Sequence, residues 1–347
     1  MNTMAASTAA SAATLQLDYL PAVEIAAQPP SWWQNVLGVV GFEKPPAIAE
    51  VRIPLSATMT PSLGADELCE VWRVAGPRLR LSSGEARQSR VRYRFCEDLL
   101  FGSLTIDEPD VKDEARALLH ATGTAYQEVF DILNHTQHRH LIRIWNYVPE
   151  INRRTGGGER YRLFNSARQL AFRNSGRATT GAVPAACALG SPAGSPISIY
   201  FLAARRPPKT IENPRQTSAY HYPPKFGRHR PIFSRACIWG EPGEAKLFVS
   251  GTASIVGHET IHRGDVAAQT RETMVNISAL LGEANRIAGS ARYSVAGLKL
   301  KVYVRKPADL PAIKAALSRT SSRAANILYL QADVCREDLL VEIEAVG

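Results

Sequence analysis

An order of strand, helix, strand, helix, strand and strand occurs twice in the pattern of this 347-residue chain. Runs of β-branched or alternating apolar residues predict the strands, and apolar residues at helical spacing predict the helices. In the second half the predicted strands span residues 246–255, 298–304, 326–331 and 339–346, and the helices span 266–284, capped by Asp265, and 307–317. In the first half the strands span residues 99–106, 140–148, 184–189 and 197–203, and the helices span 111–133 and 159–172.

The repeat predicts an α/β protein with two β-α-β-α-β-β units in tandem. Each unit forms a sheet that its two helices cover on one face, so the uncovered faces either meet or line a cleft. Residues 204–230 are rich in Pro and Arg and connect the halves. We expect residues 1–50 to be a flexible N-terminal tail and lead-in, residues 51–205 to form the first domain, and residues 206–347 the second.

The composition excludes several classes of protein. No apolar run approaches the ~18 residues that a membrane helix needs, so an integral membrane protein is not expected. The first 14 residues are rich in Ala, Ser and Thr but lack a basic start, which makes a poor signal peptide and favours a cytoplasmic protein. The five cysteines are widely spaced, with no CxxC pair, which argues against a disulfide framework or a cysteine-rich zinc site.

The formal net charge of +9 leaves two kinds of anionic partner open. Nucleic-acid-binding proteins usually cluster their basic residues and place aromatic residues among them. Here the arginines are scattered in short groups along the chain, so we expect no nucleic-acid partner. A small anionic ligand held by a few arginine forks fits this pattern.

Two histidine-containing segments could suggest a metal site. His258 and His262 belong to HETIH, which satisfies the H-E-x-x-H pattern of zinc proteases, where both histidines lie on one helix. Here the motif follows a strand and Gly257, ends at Gly264 and lacks a third ligand at a familiar spacing, so we predict a loop and no metal. The second segment contains His135, His138 and His140 in a polar link, where we predict a solvated turn.

The last predicted strand carries two carboxylates. Val341, Ile343 and Ala345 point to one face, whereas Glu342 and Glu344 point to the other. If that second face is solvated, both glutamates are surface residues, which is the default interpretation. If it lines a cleft, burial raises the pKa of a glutamate and allows it to act as an acid near neutral pH.

Other polar residues could build an anion pocket around such an acid. Tyr161 and Arg168 are seven residues apart on a predicted helix and so share a face. Tyr220, Tyr222 and Arg235 lie in or beside a proline-rich turn. The strand around Gly251 consists of small and hydroxylated residues, which permit the close approach of a ligand or another backbone.

Two longer stretches carry a family resemblance. Residues 248–276, FVSGTASIVGHETIHRGDVAAQTRETMVN, resemble the signature of the chorismatases, which remove the enolpyruvyl group of chorismate. Residues 299–346 resemble the RidA/YjgF (chorismate mutase-like) fold, above all in VYVRKPADLPAIKAAL and VEIEAV. The chorismatase resemblance extends through residues 159–172 and 220–235, and so covers most of the chain after about residue 50.

The resemblance implies a RidA-like architecture, an active site in a cleft, chorismate as the small-molecule substrate, and neither a metal nor an organic cofactor. It places the catalytic acid at Glu342. The positions that match its substrate-binding residues are Tyr161, Arg168, Tyr222, Arg235, Gly251 and Cys335. Tyr220 competes with Tyr222 for one of these roles, and Phe226 stands where the family often has a tyrosine.

The resemblance also leaves alternatives for the outcome. Gly251 and Cys335 are similar to members that yield 3-hydroxybenzoate, some of which also yield 4-hydroxybenzoate, and the chain looks most like the synthases of pigment pathways. Hydrolytic members, which favour alanine at both positions, yield a dihydroxycyclohexadiene carboxylate. A non-catalytic RidA-like protein that binds an anion is the third alternative. We expect a monomer or a small homo-oligomer.

Overall fold

The structure, a computed structural model, describes residues 14–43, 53–64, 67–76, 80–85, 89–320 and 327–347. Its first part is a four-stranded sheet in the order β1-β4-β2-β3. The elements are β1 (Thr14–Pro21), α1 (Ala22–Ala26), α2 (Pro30–Trp33), β2 (Val36–Phe42), β3 (Leu55–Thr58) and β4 (Leu68–Ala75).

The first repeated unit follows this sheet. Its elements are β5 (Ser82–Glu85), β6 (Arg92–Phe95), β7 (Leu99–Ile106), α3 (Glu114–His135), β8 (His140–Pro149), β9 (Arg154–Thr155), β10 (Gly158–Glu159), α4 (Arg160–Asn174), β11 (Ala185–Ser191) and β12 (Ile197–Ala204). β12 lies antiparallel between β7 and β8, and β11 lies parallel to β8 on its other side. β12, the last strand of the unit in sequence order, therefore lies in the middle of the sheet.

The second unit has the same connections. Its elements are β13 (Lys209–Ile211), β14 (Ala236–Trp239), β15 (Lys246–Thr252), β16 (Ile255–Val256), β17 (Glu259–Thr260), α5 (Val266–Ala288), β18 (Lys299–Val304), α6 (Leu310–Thr320), β19 (Ile327–Gln331), β20 (Asp333–Val334) and β21 (Val341–Val346). β21 lies antiparallel between β15 and β18, and β19 lies parallel to β18. The predicted α/β fold of two tandem β-α-β-α-β-β units is confirmed.

Most predicted boundaries agree with the structure within a few residues. The Asp265 side chain caps α5 by accepting a hydrogen bond from the Ala268 amide at 2.9 Å, as predicted. The strand predicted over residues 246–255 ends earlier, at Thr252, and the chain then forms the β16–β17 hairpin. The helix predicted from residue 307 begins with a 3-10 turn, Pro307–Asp309, before α6. Residue 326 lies outside the described residues.

Helices cover the outer faces of the two large sheets, and the inner faces meet. α3 and α4 pack on the first sheet through residues such as Phe130 and Phe164. α5 and α6 pack on the second sheet through residues such as Leu280. A third cluster joins the inner faces and includes Trp145 and Phe248. The uncovered faces therefore form one continuous core.

The expectation of a flexible lead-in over residues 1–50 is wrong for residues 14–43. β1 and β2 pair with β4, and the side chains of Leu15 and Val39 are buried. Trp72 of β4 joins the core between the large sheets, so this small sheet is part of the folded body. Residues 1–13 lie outside the described residues. Among the described helices, none is both long and apolar enough to cross a membrane.

The boundary predicted after residue 205 falls between β12 and β13, the last strand of the first unit and the first strand of the second. β20 from the second half nevertheless pairs with β11, and so extends the first sheet. We keep the two-domain division as a proposal.

Candidate active site

A small cavity lies where the two units meet. Its walls come from the start of α4, from the segment that leads into β14, from β15 and the residues after it, from the link between β20 and β21, and from β21 itself. Its volume is about 60 Å³, below the roughly 300–1,000 Å³ usual for small-molecule sites. A substrate-sized ligand can therefore enter only when the walls move apart.

Glu342 reaches this cavity from the middle of the second sheet. The residue is 3% exposed and lies opposite Tyr303 of β18. On the other side, the pairing of β15 with β21 shifts register between Val249 and Thr252, next to Gly251. A Cβ atom at Gly251 would overlap Glu342 Oε1 and lie 2.7 Å from its Cδ. Glycine at this position therefore leaves room for the carboxyl group.

The surroundings of Glu342 favour its protonated form. Burial raises the pKa of Glu342 to about 8, and the negative charge of Glu344 adds to the effect. Arg143, Arg235 and Arg305 oppose the shift without cancelling it. The carboxyl group consequently holds its proton at neutral pH, which is the state that a general acid requires.

The default interpretation of both glutamates as surface residues is wrong. Glu344 is 5% exposed, and its carboxylate accepts a hydrogen bond from Trp145 Nε1 at 2.8 Å. It also pairs with Arg143 and, at 2.7 Å, with Lys301 Nζ. Burial raises the pKa of Glu344, but the two cations outweigh burial and hold the pKa below its usual value. The polar face of β21 meets the first unit, and the sequence alone could not reveal that partner.

Arg235 and Tyr222 form one wall of the cavity together. Arg235 is 3% exposed, and its Nη2 donates to the Thr217 carbonyl at 2.7 Å and to the Tyr222 hydroxyl at 2.8 Å. Its Nε is buried and has no hydrogen-bond partner among the described residues. Tyr222 lines the cavity, whereas Tyr220 does not and instead packs against the His221 ring. The arrangement supports Tyr222 over Tyr220, and its contact with substrate stays a prediction.

Arg168 lies apart from the cavity. Its guanidinium carbon is 5.4 Å from the ring centroids of both Tyr126 and Phe172. The side chain is buried, and Nε and Nη2 have no hydrogen-bond partner within the described chain. Tyr161, seven residues earlier on α4, lines the cavity. Seven residues advance a helix by about 10 Å, which separates two side chains that share a face.

Cys335 and Tyr161 contact each other at the cavity wall. Burial raises the pKa of the Cys335 thiol to about 12, with a further contribution from Glu342, while a hydrogen bond with Tyr161 acts in the opposite direction. Burial also holds the pKa of Tyr161 well above its usual value. Both groups are therefore neutral near pH 7 and can act as polar contacts rather than as charges.

The HETIH segment follows β16 and consists of His258, β17 and the two residues after it, so it is not helical, which agrees with the loop interpretation. His258 lies 3.1 Å from Glu259, and His262 lies 3.6 Å from Glu272, so the two histidines have different partners. Within the part of the chain that the structure describes, no group of three or more His, Cys, Asp or Glu side chains could hold a metal ion.

The link with the other three histidines is only partly the solvated turn that we predicted. His135 and His140 are exposed, but His138 is fully buried. Its Nε2 lies 3.0 Å from the Cys96 carbonyl, and its ring packs edge-on against Phe95. His138 is thus a core residue that closes one end of the first sheet.

Sequence reasoning missed Arg336, which also lines the cavity. Its guanidinium carbon lies 4.2 Å from the ring centroid of Phe226 and 5.1 Å from that of Tyr222. The one available signal was its place directly after Cys335. The aromatic rings that hold it come from a distant part of the sequence, so the pattern alone did not single it out.

The geometry brings six of the seven predicted residues to one cavity, and the chain as a whole is similar to known proteins. A family model described as "Chorismatase FkbO/Hyg5-like, N-terminal" matches residues 70–203. A chorismatase from Streptomyces rapamycinicus is 36% identical over 302 residues, which cover 84% of this chain and 86% of that protein. The chain belongs to the chorismatase family.

Two further comparisons support this assignment. A chorismatase crystal structure matches with a TM-score of 0.80 at 31% identity, covering 98% of this chain and 99% of that one. A 3-hydroxybenzoate synthase from Streptomyces hygroscopicus is 41% identical over 237 residues, which cover 65% of this chain and 68% of that protein. The chorismatase-family fold thus includes the small N-terminal sheet as well as both repeated units.

Proposed function

We propose that this protein removes pyruvate from chorismate by protonating the methylene carbon of the enolpyruvyl group, and that it forms 3-hydroxybenzoate and also 4-hydroxybenzoate. The observation that carries this proposal is Glu342, a buried carboxyl group with a pKa of about 8 that lines a cavity beside an arginine. A carboxyl group that keeps its proton at neutral pH can deliver it to a weakly basic carbon.

The proposed step balances without a further reactant. The π electrons of the enol ether take the proton from Glu342, and the enolpyruvyl group of the substrate becomes an oxocarbenium-like cation. The carboxylate left on Glu342 stabilises this cation across a short distance. The bond between the ether oxygen and ring carbon C3 then breaks, and pyruvate leaves with that oxygen. Loss of the hydrogen on C4 gives 4-hydroxybenzoate. Attack of the C4 hydroxyl on C3, opening of the resulting epoxide at C4 and loss of the hydrogen on C3 give 3-hydroxybenzoate. Pyruvate and a hydroxybenzoate together contain all the atoms of chorismate.

Recognition of the carboxylates of chorismate is assigned to a group of arginines that includes Arg235 and Arg168. Arg235 lines the cavity with a free Nε, and its position is fixed by the Tyr222 hydroxyl. Arg168 has two buried donor atoms without partners, a costly arrangement that an anion would relieve. Because Arg168 does not line the cavity, its part in binding a carboxylate requires the cavity walls to move.

The aromatising outcome rests on Gly251 and Cys335. Gly251 permits the observed position of the Glu342 carboxyl group, which an alanine would displace. Cys335 presents a neutral thiol to the same cavity. These two residues favour elimination with aromatisation over hydrolysis to a dihydroxycyclohexadiene carboxylate, the second candidate outcome. A non-catalytic anion-binding role would not require a protonated glutamate in the cavity, so the raised pKa of Glu342 favours a catalytic role.

The test is chromatography of the products that purified protein forms from chorismate. We expect pyruvate together with 3-hydroxybenzoate and a share of 4-hydroxybenzoate. The dihydroxycyclohexadiene carboxylate as main product would replace the lyase assignment with the hydrolase. Chorismate that is bound but not consumed would leave the non-catalytic alternative.

A further inference from the structure

Arg336 is a cavity residue that the mechanism above does not use. It lies in the link between β20 and β21, two residues after the end of β20. Its guanidinium group is held against the Phe226 and Tyr222 rings at 4.2 and 5.1 Å from their centroids. Cation–π contacts of this kind fix the plane of the guanidinium group while leaving its edges free to donate hydrogen bonds.

The β16–β17 hairpin, whose second strand belongs to HETIH, holds one edge of this guanidinium group. Arg336 Nη1 donates to the His258 carbonyl at 2.9 Å and to Thr260 Oγ1 at 3.3 Å. Nη2 is buried and has no hydrogen-bond partner among the described residues. The conspicuous HETIH segment therefore acts here through a backbone carbonyl and a hydroxyl that orient an arginine, and its imidazoles take no part in this contact.

Arg336 and Arg235 are two cations at one small site. Both guanidinium carbons lie against the Tyr222 ring, at 5.1 and 5.6 Å from its centroid. In the described part of the chain, neither arginine has a carboxylate within ion-pair distance. Each guanidinium group thus keeps a buried donor without a partner, which is unfavourable and which an anionic ligand would satisfy.

We propose that Arg336 binds the ring carboxylate of the substrate, while Arg235 binds the carboxylate of the enolpyruvyl group. This inference rests on the proposed function. The enolpyruvyl carboxylate is attached next to the methylene carbon that Glu342 protonates, so it must lie close to Glu342. The Arg235 carbonyl accepts a hydrogen bond from the Ser250 amide at 3.0 Å, directly before Gly251, whose missing side chain leaves room for the Glu342 carboxyl group, and this neighbourhood assigns Arg235 to that end. Arg336, held at the hairpin side of the cavity, takes the other end.

The experiment uses Arg336→Gln, which retains a donor for the His258 carbonyl but carries no charge. We expect KM for chorismate to rise at least ~10-fold with a smaller change in kcat, and Arg336→Lys to recover part of the loss. Arg263→Gln is the matched control, since the Arg263 side chain is 66% exposed, pairs with Asp338 at 3.1 Å and does not line the cavity. This control should keep the wild-type KM.

Two inhibitors separate the two ends of the site. 3-Hydroxybenzoate carries only the ring carboxylate, and 2-phenoxypropanoate carries only the side-chain carboxylate. Arg336→Gln should weaken inhibition by 3-hydroxybenzoate at least ~10-fold and leave inhibition by 2-phenoxypropanoate unchanged, and Arg235→Gln should do the reverse. A purely structural role would weaken both inhibitors alike, and thermal melting of each variant would expose it.

The outcomes distinguish this inference from the proposed function. If the wild type does not consume chorismate, the proposed function fails. If the wild type is active and Arg336→Gln and Arg336→Lys keep its KM, the assignment of Arg336 alone is wrong. Loss of 2-phenoxypropanoate binding in Arg336→Gln, with 3-hydroxybenzoate unaffected, would also overturn it by exchanging the two arginines.

Discussion

Glu342 and Glu344 are identical residues on the same face of one strand, yet their proton affinities are shifted in opposite directions. Burial raises the pKa of both, but Lys301 and Arg143 hold Glu344 ionised, whereas no cation pairs directly with Glu342 among the described residues. The ionised Glu344 then helps to keep the proton on Glu342. One glutamate thus supplies the acid, and the other supplies the field that keeps it protonated.

Glu344→Gln should lower the pKa of Glu342, because it removes the like charge and frees Arg143 to attract the remaining carboxylate. The protonated form of Glu342 is the reactive one, so wild-type kcat should fall as pH rises through about 8. In Glu344→Gln this fall should begin at a lower pH. The measurement is kcat against pH from 5 to 9 for both proteins. An unchanged upper limb would contradict the coupling of the two glutamates.

Gly251→Ala should disturb the acid directly, because the new Cβ would overlap Glu342 Oε1. We expect kcat to fall at least ~10-fold, as for a misplaced general acid, with a larger share of the hydrolytic product. Gly282→Ala is the control, since a Cβ at this exposed helical position meets nothing within 4 Å. Product chromatography provides both readouts, and a Gly251→Ala protein with wild-type rate and products would refute this role of Gly251.

At the scale of elements, the repeat in the sequence was the most informative pattern. Alternation and helical spacing predicted the four main strands and the two helices of each unit in order, because these periods reflect which faces are buried. The short strands at the sheet edges and in the loops were not predicted. The pattern could not show that β21 lies between β15 and β18, since strand order depends on contacts between distant segments. Nor did it predict the β16–β17 hairpin, where Gly257, with φ of 58°, allows the turn.

The first helix of each unit begins with a capping aspartate, and its contribution to stability can be tested. Asp265 caps α5 and Asp113 caps α3, each accepting a hydrogen bond from the backbone amide three residues later, at 2.9 and 3.1 Å. Replacing either aspartate by alanine should cost about 1 kcal/mol of unfolding free energy. Asp131→Ala, at an exposed position near the C-terminal end of α3, should cost less than about 0.5 kcal/mol. Urea titration gives the values, and equal effects at all three positions would argue against capping.

At the scale of the whole molecule, buried ion pairs connect the small N-terminal sheet and the two large sheets. Lys301 of β18 pairs with Glu70 of β4 and with Glu344 of β21, and Glu344 pairs with Arg143 of β8. Sequence analysis assigned residues 14–43 to a flexible lead-in, although β1 and β2 pair with β4. Pairing between strands that are distant in the sequence leaves no pattern in either strand alone. For the same reason it could identify Glu342 through family resemblance but could not foresee the cations around Glu344.

Lys301→Met should destabilise the whole molecule, because it leaves Glu70 and Glu344 buried without their shared cation. Removing one partner of a buried ion pair costs about 3–5 kcal/mol. Lys299→Met is the control, since the Lys299 side chain is 28% exposed and pairs with Asp18 at the surface. We expect a clear loss of melting temperature for Lys301→Met and a small change for Lys299→Met. Equal melting temperatures for both would show that the network does not hold the sheets together.

The central claim is that Glu342 transfers its proton to chorismate. The most direct test is the single-turnover rate of Glu342→Gln, measured together with its dissociation constant for chorismate. Gln keeps the shape of the side chain but cannot release a proton to carbon, so we predict near-normal binding and turnover at least ~100-fold slower than in the wild type. Wild-type turnover in Glu342→Gln would contradict the account and move the acid to another residue of the cavity.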